Sequence, residues 1–215
     1  MRIALFGSFY RGFHVLNELL FGPLSRSLTI VGVATDDPAC AFVTPQRRVW
    51  QYGYRPEEAT MVADLAERNG IAVYRSRVKT DEFYTLFEDH WRPDICFMST
   101  FGQKLNERLF SFPKHGVINL HPSDKSGWPS KYAGSNPFQM MLDDGRDRCV
   151  ISLHTVDGDF DAGERVAISE DIYIPPGATV RDMHMMSSPI AALAVRRYLG
   201  DVLSGRRSHA EMAAE

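Results

Sequence analysis

Short apolar runs alternate with amphipathic segments along the chain up to Leu120. The apolar runs predict strands at residues 2–6, 28–34, 71–74, 94–98 and 117–120. Apolar residues at helical spacing predict helices at residues 13–21, 56–69 and 81–89. Strands that alternate with helices are typical of a parallel sheet covered on both faces. The fold class we expect is therefore α/β, with a Rossmann-like sheet whose core is parallel.

The pattern changes near residue 150. Residues 150–154 and 165–173 predict a pair of strands around an acidic loop, and residues 179–203 predict a final helix. We find no repeat, low-complexity tract or linker composition that would divide the chain. We therefore expect one domain over residues 1–205, followed by a polar tail over residues 206–215.

One connection, residues 36–55, is longer than most loops of compact domains. It contains Arg47, Arg48 and Trp50 among other aromatic residues. Two interpretations stay open. The segment is either a surface flap whose aromatic rings pack on the domain, or a binding loop in which arginines hold phosphate or carboxylate.

Composition argues against several classes of protein. The chain has 24 Lys and Arg against 27 Asp and Glu, a formal charge of -3 that argues against a nucleic-acid partner. Its three cysteines form no CxxC pair, which argues against a disulfide scaffold or a zinc ribbon. No apolar stretch approaches the ~20 residues of a membrane span, and the first apolar run is too short for a signal peptide. We expect a cytoplasmic protein without membrane contact.

Candidate chemistry begins on the fifth predicted strand, with Asn119 and His121. Residues i and i+2 of a strand point to the same face, so both side chains project together where α/β sheets bind ligands. An amide can donate to an oxyanion, and an imidazole can accept or return a proton. Taken alone, an Asn-x-His pair is more typical of polar side chains that cap a strand end.

An acidic loop follows His154, with Asp157, Asp159 and Asp161 at alternate positions beside glycines. One of these carboxylates could orient His121 or receive a proton through water. A calcium loop of the EF-hand type is disfavoured because its downstream glycine and glutamate are absent. A metal site built on the two histidines lacks HxH or HxxxH spacing, so we expect no metal.

Four segments occur in the order typical of one family: Phe101-Gly102-Gln103-Lys104-Leu105, Asn119-Leu120-His121-Pro122-Ser123, Tyr132-Ala133-Gly134-Ser135-Asn136-Pro137 and His154 to Gly163. Together they resemble the folate-dependent formyltransferases. That family includes glycinamide ribonucleotide, methionyl-tRNA and sugar-nucleotide formyltransferases. The resemblance extends from Met1 to about Leu203 and implies the formyltransferase fold.

The resemblance also implies a donor and roles for site residues. N10-formyltetrahydrofolate would supply the formyl group, without a metal or nucleotide cofactor. Asn119 would bind the formyl oxygen, His121 would assist proton transfer, and Asp161 would hold His121 or a shuttling water. The pterin would lie between the two segments that contain Phe97, Met98, Phe101, Gly102, Gln103, Leu105, Val156, Asp157 and Gly158.

The acceptor side departs from the family. Four extra residues lie within 124–130, around Trp128, which either lines a pocket or packs over the loop, and Ala133 replaces a usual arginine. The first loop lacks the phosphate-binding pattern of the glycinamide ribonucleotide enzymes, and the further domain of the methionyl-tRNA enzymes is not expected here. A small amine is therefore favoured, an amino-sugar nucleotide or an amino acid derivative. Its candidate contacts are Ser8, Tyr10, Arg11, Arg47, Arg48, Trp50 and Tyr132.

Other functions remain open beside this one. With water as the acceptor, the same site would hydrolyse formyltetrahydrofolate. A catalytically silent folate- or nucleotide-binding module is disfavoured, because it has no chemical need for Asn119, His121 and Asp161 together. The family forms monomers and dimers, so the resemblance leaves a homodimer open.

Overall fold

The computed structural model describes residues 1–36, 52–159 and 161–206. Residues 37–51, and with them Arg47, Arg48 and Trp50, lie outside the described residues, as do residues 207–215. The strands are β1 (Arg2–Gly7), β2 (Thr29–Ala34), β3 (Val73–Tyr74), β4 (Ile95–Ser99), β5 (Val117–Ser123), β6 (Arg148–Thr155), β7 (Arg165–Ile168) and β8 (Ile172–Tyr173). The α-helices are α1 (Phe9–Phe21), α2 (Pro56–Arg68), α3 (Asp81–Thr85), α4 (Glu107–Phe110), α5 (Pro137–Asp143) and α6 (Val180–Leu203). A π-helical segment, Leu86–Trp91, continues α3, and a 3₁₀ turn, Ser25–Ser27, precedes β2.

The strands form one mixed sheet in the order β3-β2-β1-β4-β5-β6-β7, with β8 paired to β6. Strands β1 to β5 are parallel, whereas β6 is antiparallel to both of its neighbours and to β8. The chain leaves β1 in one direction towards β2 and β3, then returns to place β4 on the other side. This reversal creates a crevice at the carboxyl ends of β1 and β4, where α/β sheets bind ligands.

Both faces of the sheet are buried, as expected for a parallel core. On β1, Ile3 and Leu5 belong to one apolar cluster, together with residues of α1, α2 and α6. The alternate residues Ala4 and Phe6 belong to a second cluster, which includes Phe83 of α3. The period of two along the strand therefore divides the core into two layers.

Glycine permits the closest approach of a side chain to the sheet. A Cβ atom on Gly32 of β2 would lie 2.0 Å from the indole ring of Trp91. The Trp91 ring is 2% exposed and packs edge-on against Phe83, with ring centroids 5.5 Å apart. A glycine at this position therefore lets the aromatic layer lie flat on the strand.

The structure corrects several predicted boundaries. Helix α1 begins at Phe9 rather than residue 13, because its buried first turns contain Arg11 and Gly12, which the apolar pattern does not mark. Strand β5 continues to Ser123 because its pairing with β6 continues. Helices α4 and α5 were not predicted, since four and seven residues are too short to show a period. The expected strand at residues 165–173 is two strands, β7 and β8.

Candidate active site

Strands β5 and β6 bring four polar side chains together. Asn119 and His121 project from one face of β5, and the antiparallel register places His154 of β6 directly opposite Asn119. The loop after β6 adds Asp161. These side chains are largely enclosed, since Asn119, His121 and His154 are 8%, 5% and 2% exposed. Three of the four residues were predicted as catalytic from the sequence.

Asp161 is the centre of this polar network. Its Oδ1 accepts a hydrogen bond from Asn119 Nδ2 at 3.0 Å, and its Oδ2 accepts one from the backbone N–H of Gly134 at 2.8 Å. The same Oδ1 lies 3.4 Å from His121 Nδ1. Burial raises the pKa of Asp161. The neighbouring imidazoles of His154 and His121 and the hydrogen bond from the Gly134 N–H lower this pKa, and their combined effect holds it below its ordinary value. Asp161 is therefore ionised at neutral pH.

His121 is arranged to accept a proton. Its Nε2 donates to the carbonyl of Tyr132 at 2.8 Å, so the neutral ring leaves Nδ1 unprotonated and facing Asp161. Burial lowers the pKa of His121, and the charge of Asp161 opposes that shift. The imidazole is thus neutral at pH 7, and a proton received at Nδ1 would lie beside a carboxylate.

His154 is a site residue whose role sequence reasoning missed, since it entered only through the family segment and as a metal ligand. Its Nδ1 donates to the carbonyl of Thr155 at 2.9 Å, which leaves Nε2 to accept from Asn119 Nδ2 at 3.1 Å. Both amide protons of Asn119 are therefore engaged, one by His154 and one by Asp161. The role of His154 follows from its position opposite Asn119, and that position is known only once the pairing register of β5 and β6 is known.

Trp128 of the inserted segment packs over this network. Its ring lies 5.1 Å from that of His154, and its Nε1 donates to the carbonyl of Gly163 at 2.8 Å. The guanidinium of Arg165 lies over the Trp128 ring, with its central carbon 5.5 Å from the ring centroid. Of the two roles considered for Trp128, the structure supports packing over the loop, and Trp128 does not line the cleft.

A cleft of about 970 Å³ opens on the network. One end contains most of the residues expected to hold the pterin, namely Met98, Phe101, Gly102, Gln103, Leu105, Val156 and Asp157. Gln103 braces this wall, because its side chain accepts from Val78 N at 3.1 Å and donates to the Ser76 carbonyl at 3.1 Å.

Two expected pterin contacts do not line the cleft. Phe97 and Met98 are neighbours on β4, so their side chains point to opposite faces of the sheet. The side chain of Phe97 is fully buried in the core. Gly158 is exposed next to the wall, where its carbonyl accepts from Lys104 Nζ at 2.7 Å.

At the opposite end, Arg11 of α1 lines the cleft together with Phe138 and His184. Phe138 and His184 were not singled out in the sequence. Their rings pack edge-on with centroids 4.9 Å apart. Burial lowers the pKa of His184 well below its ordinary value, so this imidazole is neutral. Residues of α1, α5 and α6 meet here, and no local sequence pattern joins them.

Three of the predicted acceptor contacts do not line the cleft. Ser8 is buried, and its Oγ accepts from Asp36 N at 3.0 Å. Tyr10 donates to Glu58 at 2.6 Å, in a cluster that joins α1, α2 and α6. The Tyr132 hydroxyl donates to Asp144 at 3.0 Å, and the residue meets the site only through the carbonyl that His121 contacts.

Backbone strain is concentrated around this crevice. Phe9, Thr100 and Asp161 adopt φ values of 54°, 59° and 49°, in the left-handed region that non-glycine residues seldom occupy. Phe9 lies two residues after the end of β1, and Thr100 directly follows β4, so the two residues lie on either side of the topological reversal. Strain of this kind costs about 1–3 kcal/mol at each residue and is typical of functional sites.

Within the described part of the chain, no group of three or more His, Cys, Asp or Glu side chains is arranged to hold a metal ion. In the same ranges, no helix combines the length and the apolar character needed to cross a bilayer.

Known proteins resemble this chain in sequence. It is 32% identical to the methionyl-tRNA formyltransferase of Thermotoga maritima over 179 residues, which cover 83% of this chain and 51% of that protein. It is 27% identical to the methionyl-tRNA formyltransferase of Thermotoga neapolitana over 162 residues, which cover 75% of this chain and 47% of that protein. The chain thus spans about half the length of these curated relatives.

Solved structures resemble it in fold. Glycinamide ribonucleotide transformylase 1 from Symbiobacterium toebii matches with a TM-score of 0.70 at 15% identity, over 96% of this chain and 89% of that one. A formyltetrahydrofolate deformylase from Pseudomonas syringae pv. tomato matches with a TM-score of 0.65 at 19% identity, over 98% of this chain and 61% of that one. These likenesses confirm the expected fold class.

The formyl transferase family matches residues 26–187, well over half of the chain. The match includes the four segments on which the resemblance rested and the polar network of β5 and β6. The chain therefore belongs to the formyl transferase family.

Proposed function

We propose that this chain transfers the formyl group of N10-formyltetrahydrofolate to the amine of a small acceptor. The observation that carries the proposal is the meeting of Asn119, His121 and Asp161 in one network beside a cleft large enough for a folate head group. An oxyanion donor, a neutral imidazole and an ionised carboxylate are the groups that acyl transfer to an amine requires.

Asn119 stabilises the tetrahedral intermediate in this proposal. When the acceptor nitrogen bonds to the formyl carbon, the formyl oxygen gains negative charge and needs a donor. Both protons of Asn119 Nδ2 are engaged, so the oxygen must replace one partner. Hydrogen bonds to charged groups are the stronger kind. The bond to His154 is therefore the one replaced, while the bond to the Asp161 carboxylate keeps the amide oriented.

His121 moves the proton. The attacking amine becomes positively charged in the intermediate, and His121 Nδ1 accepts one of its protons, directly or through water. The resulting imidazolium lies 3.4 Å from the Asp161 carboxylate. The proton then passes to N10 of the folate as the carbon–N10 bond breaks, which releases tetrahydrofolate and the formylated amine. No step needs a metal.

The acceptor in this proposal is an amino-sugar nucleotide or an amino acid derivative. Two rivals follow from the comparisons, since the curated relatives are named for methionyl-tRNA and one structural neighbour is named as a deformylase. The first would make a tRNA the acceptor, and the second would make it water.

The test is tetrahydrofolate release from N10-formyltetrahydrofolate with a panel of amino-sugar nucleotides, amino acids, other small amines and methionyl-tRNA. Release that requires a small amine supports the proposal. Release without any acceptor supports hydrolysis, and release only with the tRNA supports that substrate. Asn119→Ala is the site variant, and the exposed Asn69→Ala is its matched control. Absence of both release and folate binding would refute the proposal.

A further inference from the structure

Arg11 is a buried cation with no counter-ion among the described residues. The residue is 3% exposed, and none of the ion pairs within the described ranges includes it. Its Nη1 donates to the Leu120 carbonyl at 3.4 Å and its Nη2 to Ser187 Oγ at 3.3 Å, both at the long limit of hydrogen bonding. Its Nε has no partner among the described residues.

Such an arrangement is costly in the free protein. Burial lowers the pKa of Arg11 to about 10, so the side chain is still charged at neutral pH. A buried charge without a partner opposes folding, and buried charges in proteins are normally paired. The Phe138 ring, 5.4 Å from the guanidinium carbon, offers only a weak substitute for an anion. The site is therefore poised to gain an anionic ligand.

The position of Arg11 fixes where that anion would lie. Leu120, whose carbonyl it contacts, is the residue between Asn119 and His121 on β5. Arg11 lines the same cleft as Asn119 and His121. Its positive charge lowers the pKa of His121. An anion bound here would lie beside the strand that carries Asn119 and His121.

We propose that Arg11 binds a carboxylate of the acceptor itself, so that the acceptor is an amino acid or a compact derivative with a free carboxylate. The inference rests on the proposed function and narrows its substrate class. The Arg11 fork of Nε and Nη2 matches the two oxygens of a carboxylate. The positive charge also disfavours the ammonium form of a neighbouring amine, which leaves more of it free to attack.

A sugar diphosphate fits this end of the cleft less well. Its two charges call for more than one cation, and the cleft residues Phe138 and His184, which pack near Arg11, are apolar and neutral respectively. The remaining cations that line the described cleft are Arg77, Lys79 and Lys104, which surround Gln103 on the pterin wall. Those three cations therefore lie at the end of the cleft expected to hold the folate, away from Arg11.

The experiment compares matched pairs of amines: α-, β- and γ-amino acids against their carboxamides, with amino-sugar nucleotides as the phosphate arm. Binding is measured by calorimetry without folate, and kcat/KM by tetrahydrofolate release. We expect wild type to favour carboxylates over carboxamides by about 10- to 100-fold, as for a hydrogen bond to a charged group. Arg11→Met should lose that preference. Arg196→Met, which removes a half-buried cation of α6 that is paired with Glu18, should keep it.

The outcomes separate the two claims. Carboxylate binding that depends on Arg11, without formyl transfer to any amine, would support this inference while refuting the proposed function. Transfer with equal preference for carboxylates and carboxamides, or with preference for sugar nucleotides, would overturn the inference alone. Arg11→Met should also unfold at the same or a higher temperature than wild type. A lower temperature with unchanged carboxylate preference would assign Arg11 a structural role and overturn the inference.

Discussion

Replacing Asp161 by Asn is the sharpest perturbation of the site, because it removes a charge while keeping the size of the side chain. Asn tolerates the left-handed backbone of this position at least as well as Asp, so the variant should fold. One carboxylate oxygen becomes an NH₂ group that cannot accept a hydrogen bond. Either Asn119 or the Gly134 N–H therefore loses its acceptor.

The expected magnitude follows from the distance between Asp161 and His121. Two unit charges 3.4 Å apart attract each other by about 5 kcal/mol at an effective dielectric constant of ~20. That attraction exists only when His121 carries the proton, so its loss raises the barrier rather than weakening substrate binding. Residual hydrogen bonding offsets part of it, and we expect kcat/KM to fall about 10²- to 10³-fold.

Two assays test this reasoning. Tetrahydrofolate release gives kcat/KM, and an NMR titration of the His121 ring gives its pKa without any acceptor. Asp161 raises the pKa of His121, so Asp161→Asn should lower it further. Asp159→Asn is the matched control, because Asp159 lines the same cleft yet is exposed. Retention of more than a tenth of wild-type kcat/KM by Asp161→Asn, or an equal loss of kcat/KM in Asp159→Asn, would contradict this role of Asp161.

Three further predictions concern other parts of the structure. Asn119→Ala should lower kcat about 10²- to 10³-fold while folate binding by fluorescence stays measurable, and unchanged turnover would contradict its role. Burial raises the pKa of Asp36 to about 6 from 3.8, so its stabilising contribution is full below pH 3.8 and is lost as pH rises through 6. Asp36→Asn should therefore raise the free energy of unfolding by up to ~3 kcal/mol at pH 7.5 and by almost nothing at pH 4. Denaturant titrations at the two pH values measure this difference, and an equal effect at both would contradict the prediction. Gly32→Ala should destabilise the protein by about 1–3 kcal/mol, because the new Cβ would overlap the Trp91 ring. Gly200→Ala, in open space on α6, should stabilise the protein by roughly 0.5–1 kcal/mol. Thermal melts in which Gly32→Ala is the more stable variant would contradict this packing.

Much of the fold could be predicted because its parallel strands are buried on both faces and read as continuous apolar runs. The early start of α1 could not, because Arg11 and Gly12 are buried for reasons other than apolar character. Arg11 meets a carbonyl of β5 and a hydroxyl of α6, and neither contact leaves a mark in the local pattern.

The candidate site divides in the same way. Asn119 and His121 share one strand face, so their proximity follows from local geometry alone. The contribution of His154 depends on the register of an antiparallel pair, and that of His184 on where α6 packs. Ser8, Tyr10 and Tyr132 have side chains suited to binding, but each uses its polar atom for a partner within the fold.

The most direct test of the central claim follows the fate of the formyl carbon. N10-formyltetrahydrofolate labelled with ¹³C in the formyl group is incubated with the protein and the acceptor panel, and the reaction is followed by NMR. We expect a formamide signal that appears only with an amine acceptor and is lost in Asn119→Ala. A formate signal that forms equally without any amine, or no reaction of the label under any condition, would contradict it.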